Sequence, residues 1–297
     1  PSMNDPKRGA CLCGAITFEI APPYRWFAHC HCSMCRKHSG SFHGTGVGVP
    51  RERFRWLSGE DQIAHYRATG AFERPFCRRC GSVVPAESHD PDVMHVPAGL
   101  VEGDIGEQPR THIFVGSKAS FEAISDSLPQ YPAYPPGLDL PSVELAPRPP
   151  GSGNERVSGS CLCGTIAYQA TSAPRRIVCC HCSLCRRAFS APCGSTTFVP
   201  RQSFRWTRGR DRIVTYRLQP PHTYSTSFCA ECGSLVPGVS HEVRFALLPV
   251  GSIDTALQPL PMAHIYLGSK TPWDEVTDTW PRFDELPPQD QIDELFG

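Results

Sequence analysis

Short stretches of alternating apolar and polar residues, broken every few positions by glycine or proline, dominate the chain. Gly14-Ala15-Ile16-Thr17-Phe18-Glu19-Ile20 alternates and is rich in β-forming residues. Arg53-Phe54-Arg55-Trp56, Ile63-Ala64-His65-Tyr66 and Thr111-His112-Ile113-Phe114-Val115 read the same way. Each predicts a strand with one face turned to a core. Ser33 to Lys37 reads as one helical turn. No long helical period separates the strands, which argues against a parallel α/β fold and predicts a mainly β protein.

The pattern occurs twice. Cys11-Leu12-Cys13-Gly14 returns 150 positions later as Cys161-Leu162-Cys163-Gly164. His31-Cys32-Ser33-Met34-Cys35-Arg36 returns at the same offset as His181-Cys182-Ser183-Leu184-Cys185-Arg186, and Val49-Pro50-Arg51 as Val199-Pro200-Arg201. Two residues then enter the second copy. Phe76-Cys77 through Cys80-Gly81-Ser82 returns 152 positions later as Phe228-Cys229 through Cys232-Gly233-Ser234. His112-Ile113 and Gly116-Ser117-Lys118 return as His264-Ile265 and Gly268-Ser269-Lys270. A repeat kept in order over this length marks a tandem duplication. Pro135 to Gly153 is rich in Pro, Gly and Ser and has no strand or helix period. The expected organisation is a first zinc-binding domain over 1–136, a linker over 137–154 and a second zinc-binding domain over 155–297. The two copies are expected to pack on each other as a pseudo-dimer within a monomeric chain.

Composition narrows the function. Lys plus Arg and Asp plus Glu both number 29, so the chain has no formal net charge to draw it to nucleic acid or an anionic membrane. No apolar run of about 18 residues is present, so no membrane span is expected, and the start of the sequence lacks the pattern of a signal peptide. Sixteen cysteines stand out. Most lie in C-x-C and C-x-x-C pairs, too close for comfortable disulfides within a pair and suited to metal ligation in a reducing, cytoplasmic compartment.

Two kinds of site follow from the spacing. Cys11 and Cys13 with Cys77 and Cys80 supply four thiolates for a closed structural zinc, as do Cys161, Cys163, Cys229 and Cys232. Cys30, Cys32 and Cys35 supply three within six residues, as do Cys180, Cys182 and Cys185. Three protein ligands leave a zinc position for water or substrate, unless a neighbouring side chain closes it. His29, His31 and His43 are candidates to do so in the first copy; Cys179, His181 and Cys193 are candidates in the second. About four zinc ions per chain are expected from this ligand count.

These motifs together, Cys-x-Cys-Gly, Cys-His-Cys-Ser-x-Cys-Arg, Phe-Cys-x-x-Cys-Gly-Ser and His-Ile-x-x-Gly-Ser-Lys, resemble the glutathione-dependent formaldehyde-activating enzyme and centromere protein V family in both copies. The resemblance implies two tandem β-tent domains of antiparallel sheets. It assigns a structural zinc to each four-cysteine set and a catalytic zinc to each three-cysteine set. It implies a carbon–sulfur lyase type of activity on a thiol adduct, with glutathione as substrate or cosubstrate and a small aldehyde or other electrophile as its partner. Two other readings stand beside it: zinc Lewis-acid catalysis of a cyclisation or elimination without glutathione, and a non-enzymatic zinc-stabilised binding module.

The expected catalytic set is Cys30, Cys32, Cys35, His29, His43 and His112. His112 and its counterpart His264 read equally as core histidines or as acid/base groups. Arg36 and Arg186 read mainly as counter-charges to thiolates, Lys118 and Lys270 as solvated strand-end lysines, and Trp56 and Trp206 as core or interface. The copies differ around the open site. The first has His29, His31, His38 and His43, whereas the second has Cys179 and Cys193 in two of these places and Ala188 in place of His38. A further thiolate would occupy the open zinc position, so the first copy is the expected catalytic one.

Overall fold

The computed structural model describes residues 5–69, 72–106, 109–138, 140, 156–220, 223–239, 244–289 and 291–292. The expected linker 137–154 lies mostly outside them. The first copy contains β1 (Lys7–Ala10), β2 (Thr17–Ile20), β3 (Trp26–Cys30), α1 (Ser33–Ser39), β4 (Gly44–Pro50) and β5 (Phe54–Ser58). It continues with β6 (Ile63–Thr69), β7 (Phe72–Cys77), β8 (Ala86–Glu87), β9 (Val93–Pro97) and β10 (Arg110–Ile113). The second copy repeats the series as β11 (Val157–Ser160), β12 (Ala167–Ala170), β13 (Ile177–Cys180), α2 (Ser183–Phe189), β14 (Gly194–Pro200) and β15 (Phe204–Arg208). It ends with β16 (Ile213–Arg217), β17 (Ser225–Cys229), β18 (Gly238–Val239), β19 (Phe245–Pro249) and β20 (Met262–Ile265).

Each copy has a three-stranded sheet, a two-stranded hairpin and a five-stranded sheet. In the first copy the orders are β1-β2-β5, β6-β7 and β10-β3-β4-β9-β8. Strand β2 shows why its sequence alternates: Phe18 and Ile20 are fully buried while Thr17 and Glu19 are half-exposed. The sheets are antiparallel as expected, with one exception in each copy. Strand β10 runs parallel to β3, and β20 parallel to β13. That pairing sets His112 beside His29 and His264 beside Cys179. The helices are short and well ended. Cys32 Sγ accepts the Cys35 N–H at the start of α1, and Gly40 closes it in the left-handed conformation with φ 78°.

Neither copy closes its own core. The cluster around Cys11, Phe76 and Cys77 takes in Ala188, Phe189 and Phe228 of the second copy. The cluster around Cys161 and Cys229 takes in Met34 of the first. Trp273 is buried among Phe27, Val47 and Leu100 of the first copy, with its ring 5.4 Å from that of Phe27. Its counterpart Phe121 is buried among Val157, Tyr168 and Leu248 of the second. The expected packing of copy on copy is therefore present within the chain. Trp56 and Trp206 pack against these clusters, in line with the core reading. A buried Lys37–Asp254 ion pair at 2.6 Å and the matching Arg187–Glu102 pair at 2.5 Å cross the same boundary.

The approach is closest at Gly251, whose N–H donates to Gly40 O at 2.9 Å. A Cβ there would stand 2.0 Å from Arg36 O and 2.6 Å from Ser41 O, both of them rigid backbone. Gly251→Ala is expected to destabilise the protein by about 3 kcal/mol through this overpacking. Gly103 has φ 76° but nothing within 4 Å of a Cβ. Gly103→Ala should cost only the backbone strain, about 1 kcal/mol. Urea unfolding of both variants separates the two effects, and equal losses would mean that the copies do not press together at Gly251.

Candidate metal centres and the histidine relay

The four-cysteine sets meet as expected. Ligand atoms within each of Cys11, Cys13, Cys77, Cys80 and Cys161, Cys163, Cys229, Cys232 lie within 4.8 Å of one another. Cys11–Cys13 and Cys13–Cys77 sulfurs are 3.5 and 3.7 Å apart, and Cys161–Cys163 and Cys163–Cys229 sulfurs 3.4 and 3.7 Å. A tetrahedron of thiolates around zinc with bonds of about 2.3 Å has edges of about 3.8 Å, so these residues fit the ion. Supporting contacts also repeat. Ser82 Oγ accepts from Leu12 N–H at 3.0 Å and lies 3.4 Å from Cys80 Sγ, and Ser234 does the same for Leu162 and Cys232. Such outer contacts orient ligands, which gives the serine of the Cys-Gly-Ser motif its purpose.

The three-cysteine sets also meet, Cys30 with Cys32 and Cys35, and Cys180 with Cys182 and Cys185. Cys30 ends β3, Cys32 caps α1 and Cys35 lies in its first turn. The neighbouring strand makes room for them: a Cβ at Gly44 would stand 3.1 Å from Cys35 Cβ, and one at Gly194 2.9 Å from Cys185 Cβ. Neither group has a fourth member among the described residues. Cys179 and Cys193, expected as closing thiolates, lie elsewhere. Cys179 precedes Cys180 along β13 and so faces the other side of the sheet, where both thiols approach Ser195 Oγ, at 3.9 and 3.4 Å. All sixteen cysteines are free thiols.

The same alternation corrects the expected places of His29 and His43. His29 shares the Phe27 side of β3, opposite Cys30, with its ring 5.5 Å from that of Phe27. His29 Nδ1 and His43 Nδ1 each lie 3.0 Å from Thr45 Oγ1, a hydroxyl that can donate to one ring and accept from the other. With His31 and His112 they form a cluster of imidazoles whose ring centroids lie 4.8 to 6.3 Å apart.

His112 is not a free acid or base at the thiols either, because both of its nitrogens are engaged. Glu122 Oε2 lies 3.0 Å from His31 Nδ1, His31 Nε2 lies 2.8 Å from His112 Nδ1, and Asp126 Oδ2 lies 3.0 Å from His112 Nε2. The second copy repeats the chain as Asp274, His181, His264 and Asp278, with distances of 2.9, 2.9 and 3.0 Å. Three hydrogen bonds need three protons, whereas two neutral imidazoles supply two. Each chain therefore holds one further proton. Burial pushes the Glu122 carboxyl up to about 7 and the His31 imidazole down to about 3, which puts the proton of the first copy on Glu122. In the second copy burial is opposed by the Asp274 hydrogen bond and the nearby Cys193 and Asp274 charges. These hold His181 above its ordinary value.

Other expectations resolve plainly. Arg36 donates to two backbone carbonyls, His31 O at 3.2 Å and Ser117 O at 3.3 Å, and so braces the cysteine loop. Lys118 and Lys270 are not simply solvated. They donate to Glu122 O at 2.7 Å and Asp274 O at 2.8 Å, and fix the acids of the two chains. Glu122, Asp126, Asp274 and Asp278 escaped sequence reading, although each acid of the first copy meets an acid of the second at the 152-residue offset.

The raised Glu122 value predicts a pH effect. The folded state holds this proton more tightly than the unfolded chain does. The associated stability is complete below about 4.5 and is lost as pH rises through about 7. Glu122→Gln keeps a neutral hydrogen-bonding group at all pH values. Its stability relative to the parent should rise between about pH 5 and pH 8 in paired urea titrations; a constant difference would place the proton elsewhere.

Comparison with known proteins adds the following. A sequence profile of glutathione-dependent formaldehyde-activating enzymes matches residues 6–117 and 156–269. Over 125 residues the chain is 29% identical to a Halomonas elongata protein named for glutathione-dependent formaldehyde activation, an alignment covering 39% of this chain and 79% of that one. A crystal structure of a Rhodobacter sphaeroides protein aligns at 24% identity with a TM-score of 0.29, over 35% of this chain and 98% of that one. No helix among the described residues is long and apolar enough to cross a membrane.

Proposed function

This chain belongs to the glutathione-dependent formaldehyde-activating enzyme family, and on that premise we propose that it is a zinc enzyme of carbon–sulfur bond chemistry, acting on the adduct of a thiol such as glutathione with a small aldehyde. The observation that carries the reading is the three-thiol cluster with no fourth protein donor among the described residues. In this reading Cys11, Cys13, Cys77, Cys80 and their counterparts hold structural zinc, while Cys30, Cys32 and Cys35 hold the ion at the reacting centre. When bound there, zinc supplies Lewis acidity and favours the thiolate form of a substrate thiol. Free thiols throughout the chain fit a reducing, cytoplasmic setting. The inter-copy cores fit a chain that is monomeric in solution.

The protein's own part is to hold the cysteine loop and to manage the oxygen of the adduct. Addition forms one carbon–sulfur bond between thiolate and carbonyl carbon, and the carbonyl oxygen takes up a proton. The reverse step removes that proton and expels the thiolate. In this reading the phenol of Tyr134 serves the oxygen. Its ring is 4.8 Å from Phe114, and its hydroxyl is pushed up to about 12 by burial and by the charges of Cys30, Cys35 and Cys32. A phenol held protonated beside thiolates donates a hydrogen bond to an adduct oxygen. Tyr134→Phe is therefore expected to lower kcat about a hundredfold with zinc content unchanged.

Two measurements test the reading. Exchange NMR on glutathione and formaldehyde should show faster formation and breakdown of the hydroxymethyl thioether with the protein than without it; unchanged exchange rates would sink the proposal. Elemental analysis should find about four zinc ions per chain. Cys77→Ser should unfold the first copy, since structural zinc binding is folding free energy, whereas Cys32→Ser should stay folded with about one zinc fewer and no turnover at that site. Equal unfolding of both variants would reverse the assigned roles.

A further inference from the structure

Each three-cysteine loop packs on the four-cysteine site of the other copy. Met34 lies between Cys32 and Cys35 and is buried in one apolar cluster with Cys161, Leu162, Cys229 and Cys232. Cys32 itself packs against that cluster. Leu184 lies between Cys182 and Cys185 and packs against the cluster of Cys11, Leu12, Cys77 and Cys80. Ala188 and Phe189, further along α2, are buried in the same cluster. The crossing is complete among the described residues: no part of 30–40 belongs to the first copy's four-cysteine cluster, and no part of 180–190 to the second's.

Polar contacts repeat the crossing. Lys37 of α1 donates to Ser160 O at 2.8 Å, and Ser160 directly precedes Cys161. The helix ends meet the residue that follows each Cys-Gly-Ser motif. A Cβ at Gly40, which closes α1, would stand 3.0 Å from Leu235 Cβ. Ser190, which closes α2, donates its hydroxyl to Val83 O at 3.0 Å. Gly40 and Ser190 are equivalent positions of the repeat, as are Leu235 and Val83. The two junctions are thus copies of one another.

The helices need this support. Each has seven residues and carries two of its copy's three thiols, one of them as the N-cap. A helix of two turns is unstable in isolation and takes its stability from packing. Its thiols keep their spacing only as far as the surface beneath the helix is fixed. In each copy that surface belongs to the other copy's four-cysteine site, whose own order is bound up with its metal.

We propose that the zinc affinity of each three-thiol cluster is set in trans, by the four-cysteine site of the other copy, and that Met34 and Leu184 are the positioning residues that carry the effect. The open cluster of the first copy is then incomplete without the closed site of the second, and that of the second without the closed site of the first. This rests on the reading of both sets as zinc sites and adds to it a crossed dependence between them. Loss of a contact that orients metal ligands lowers affinity by about ten- to a hundredfold. A change at one copy's closed site therefore reaches the open metal of the other copy rather than that of its own.

Two variants of the full chain isolate the open sites: Cys182→Ser leaves that of the first copy, and Cys32→Ser that of the second. Each is loaded with cobalt(II), whose absorption separates a three-sulfur from a four-sulfur site, and titrated with a chelator. In Cys182→Ser, adding Leu162→Ala is expected to weaken the remaining three-sulfur site about tenfold, and adding Leu12→Ala to leave it unchanged. In Cys32→Ser the two roles reverse. Met34→Ala should weaken the first copy's open site by itself, and Leu162→Ala should then add little, because both act through one cluster. Should the alanine variants fail to fold, Leu162→Val and Leu12→Val must show the same crossed order at smaller size. Weakening within the same copy, equal weakening by both substitutions, or none by either would each overturn the proposal. Absence of any three-sulfur signal would sink the reading of the open clusters as zinc sites and the proposal with it. A crossed dependence in a protein that does not speed thiol–aldehyde exchange would support the proposal and sink the proposed reaction alone.

Discussion

The structure depends on hydrophobic surfaces that neither copy can bury by itself. Trp273 leaves the second copy to fill a space against Phe27, and Phe121 makes the reciprocal crossing. A lone copy would expose both the aromatic it sends across and the socket it receives into, an apolar patch that water penalises in proportion to its area. The crossing segments do more than close cores. Glu122 follows Phe121, and Asp274 follows Trp273, so each returns an acid to the histidine of its own copy. The cysteine loop of each copy is thus braced by a residue whose neighbour is anchored in the other.

The histidine relay shows the same economy of position. A carboxylate buried next to two imidazoles is costly unless its hydrogen bonds are complete. Three bonds in a row require one proton beyond those of neutral rings, so protonation is part of the architecture and not an accident of solvent. Glu in the first copy and Asp in the second reach the same ring nitrogen, Nδ1, from 91 and 93 residues further along the chain. The surroundings of the two relays nonetheless differ: burial raises the Glu122 carboxyl in the first copy, whereas the Asp274 hydrogen bond helps to raise His181 in the second.

Much of this was legible in the residues. The repeat, the two cysteine spacings, the strands at β2, β5 and β6 and the turn of helix α1 all follow from periodicity and spacing, because they are local. What was not legible is what happens between distant segments. Strand β3, Trp26-Phe27-Ala28-His29-Cys30, has no alternation of polarity to mark it. Without the strand there was no reason to separate His29 from Cys30, although adjacency in a strand means opposite faces. The parallel pairing of β10 with β3, which delivers His112 to His31, joins residues 81 positions apart. The relay acids Glu122 and Asp126, with Asp274 and Asp278, lie just beyond the last block of the repeat that stands out by its motifs, Gly-Ser-Lys. They resemble ordinary surface acids until the segment is folded back.

Comparing the copies position by position separates packing from chemistry. Positions that face the cores keep their character: Phe18 and Tyr168, Phe76 and Phe228, Phe121 and Trp273. Several other positions exchange theirs. Phe72 and Phe114 become Tyr224 and Tyr266, while Arg74 and Tyr134 become Thr226 and Leu286. The consequence is electrostatic. Three thiolates around a divalent ion sum to one negative charge, and a fourth thiolate from a substrate makes it two. In a partly buried site that second charge needs a counter-charge or hydrogen-bond donors close by. Arg36 of the first copy is bound to two backbone carbonyls, whereas the buried Arg186 Nε of the second has no hydrogen-bond partner. The duplicated scaffold therefore keeps both copies as packing partners for one another, while the commitments of the charged groups beside its two open clusters differ.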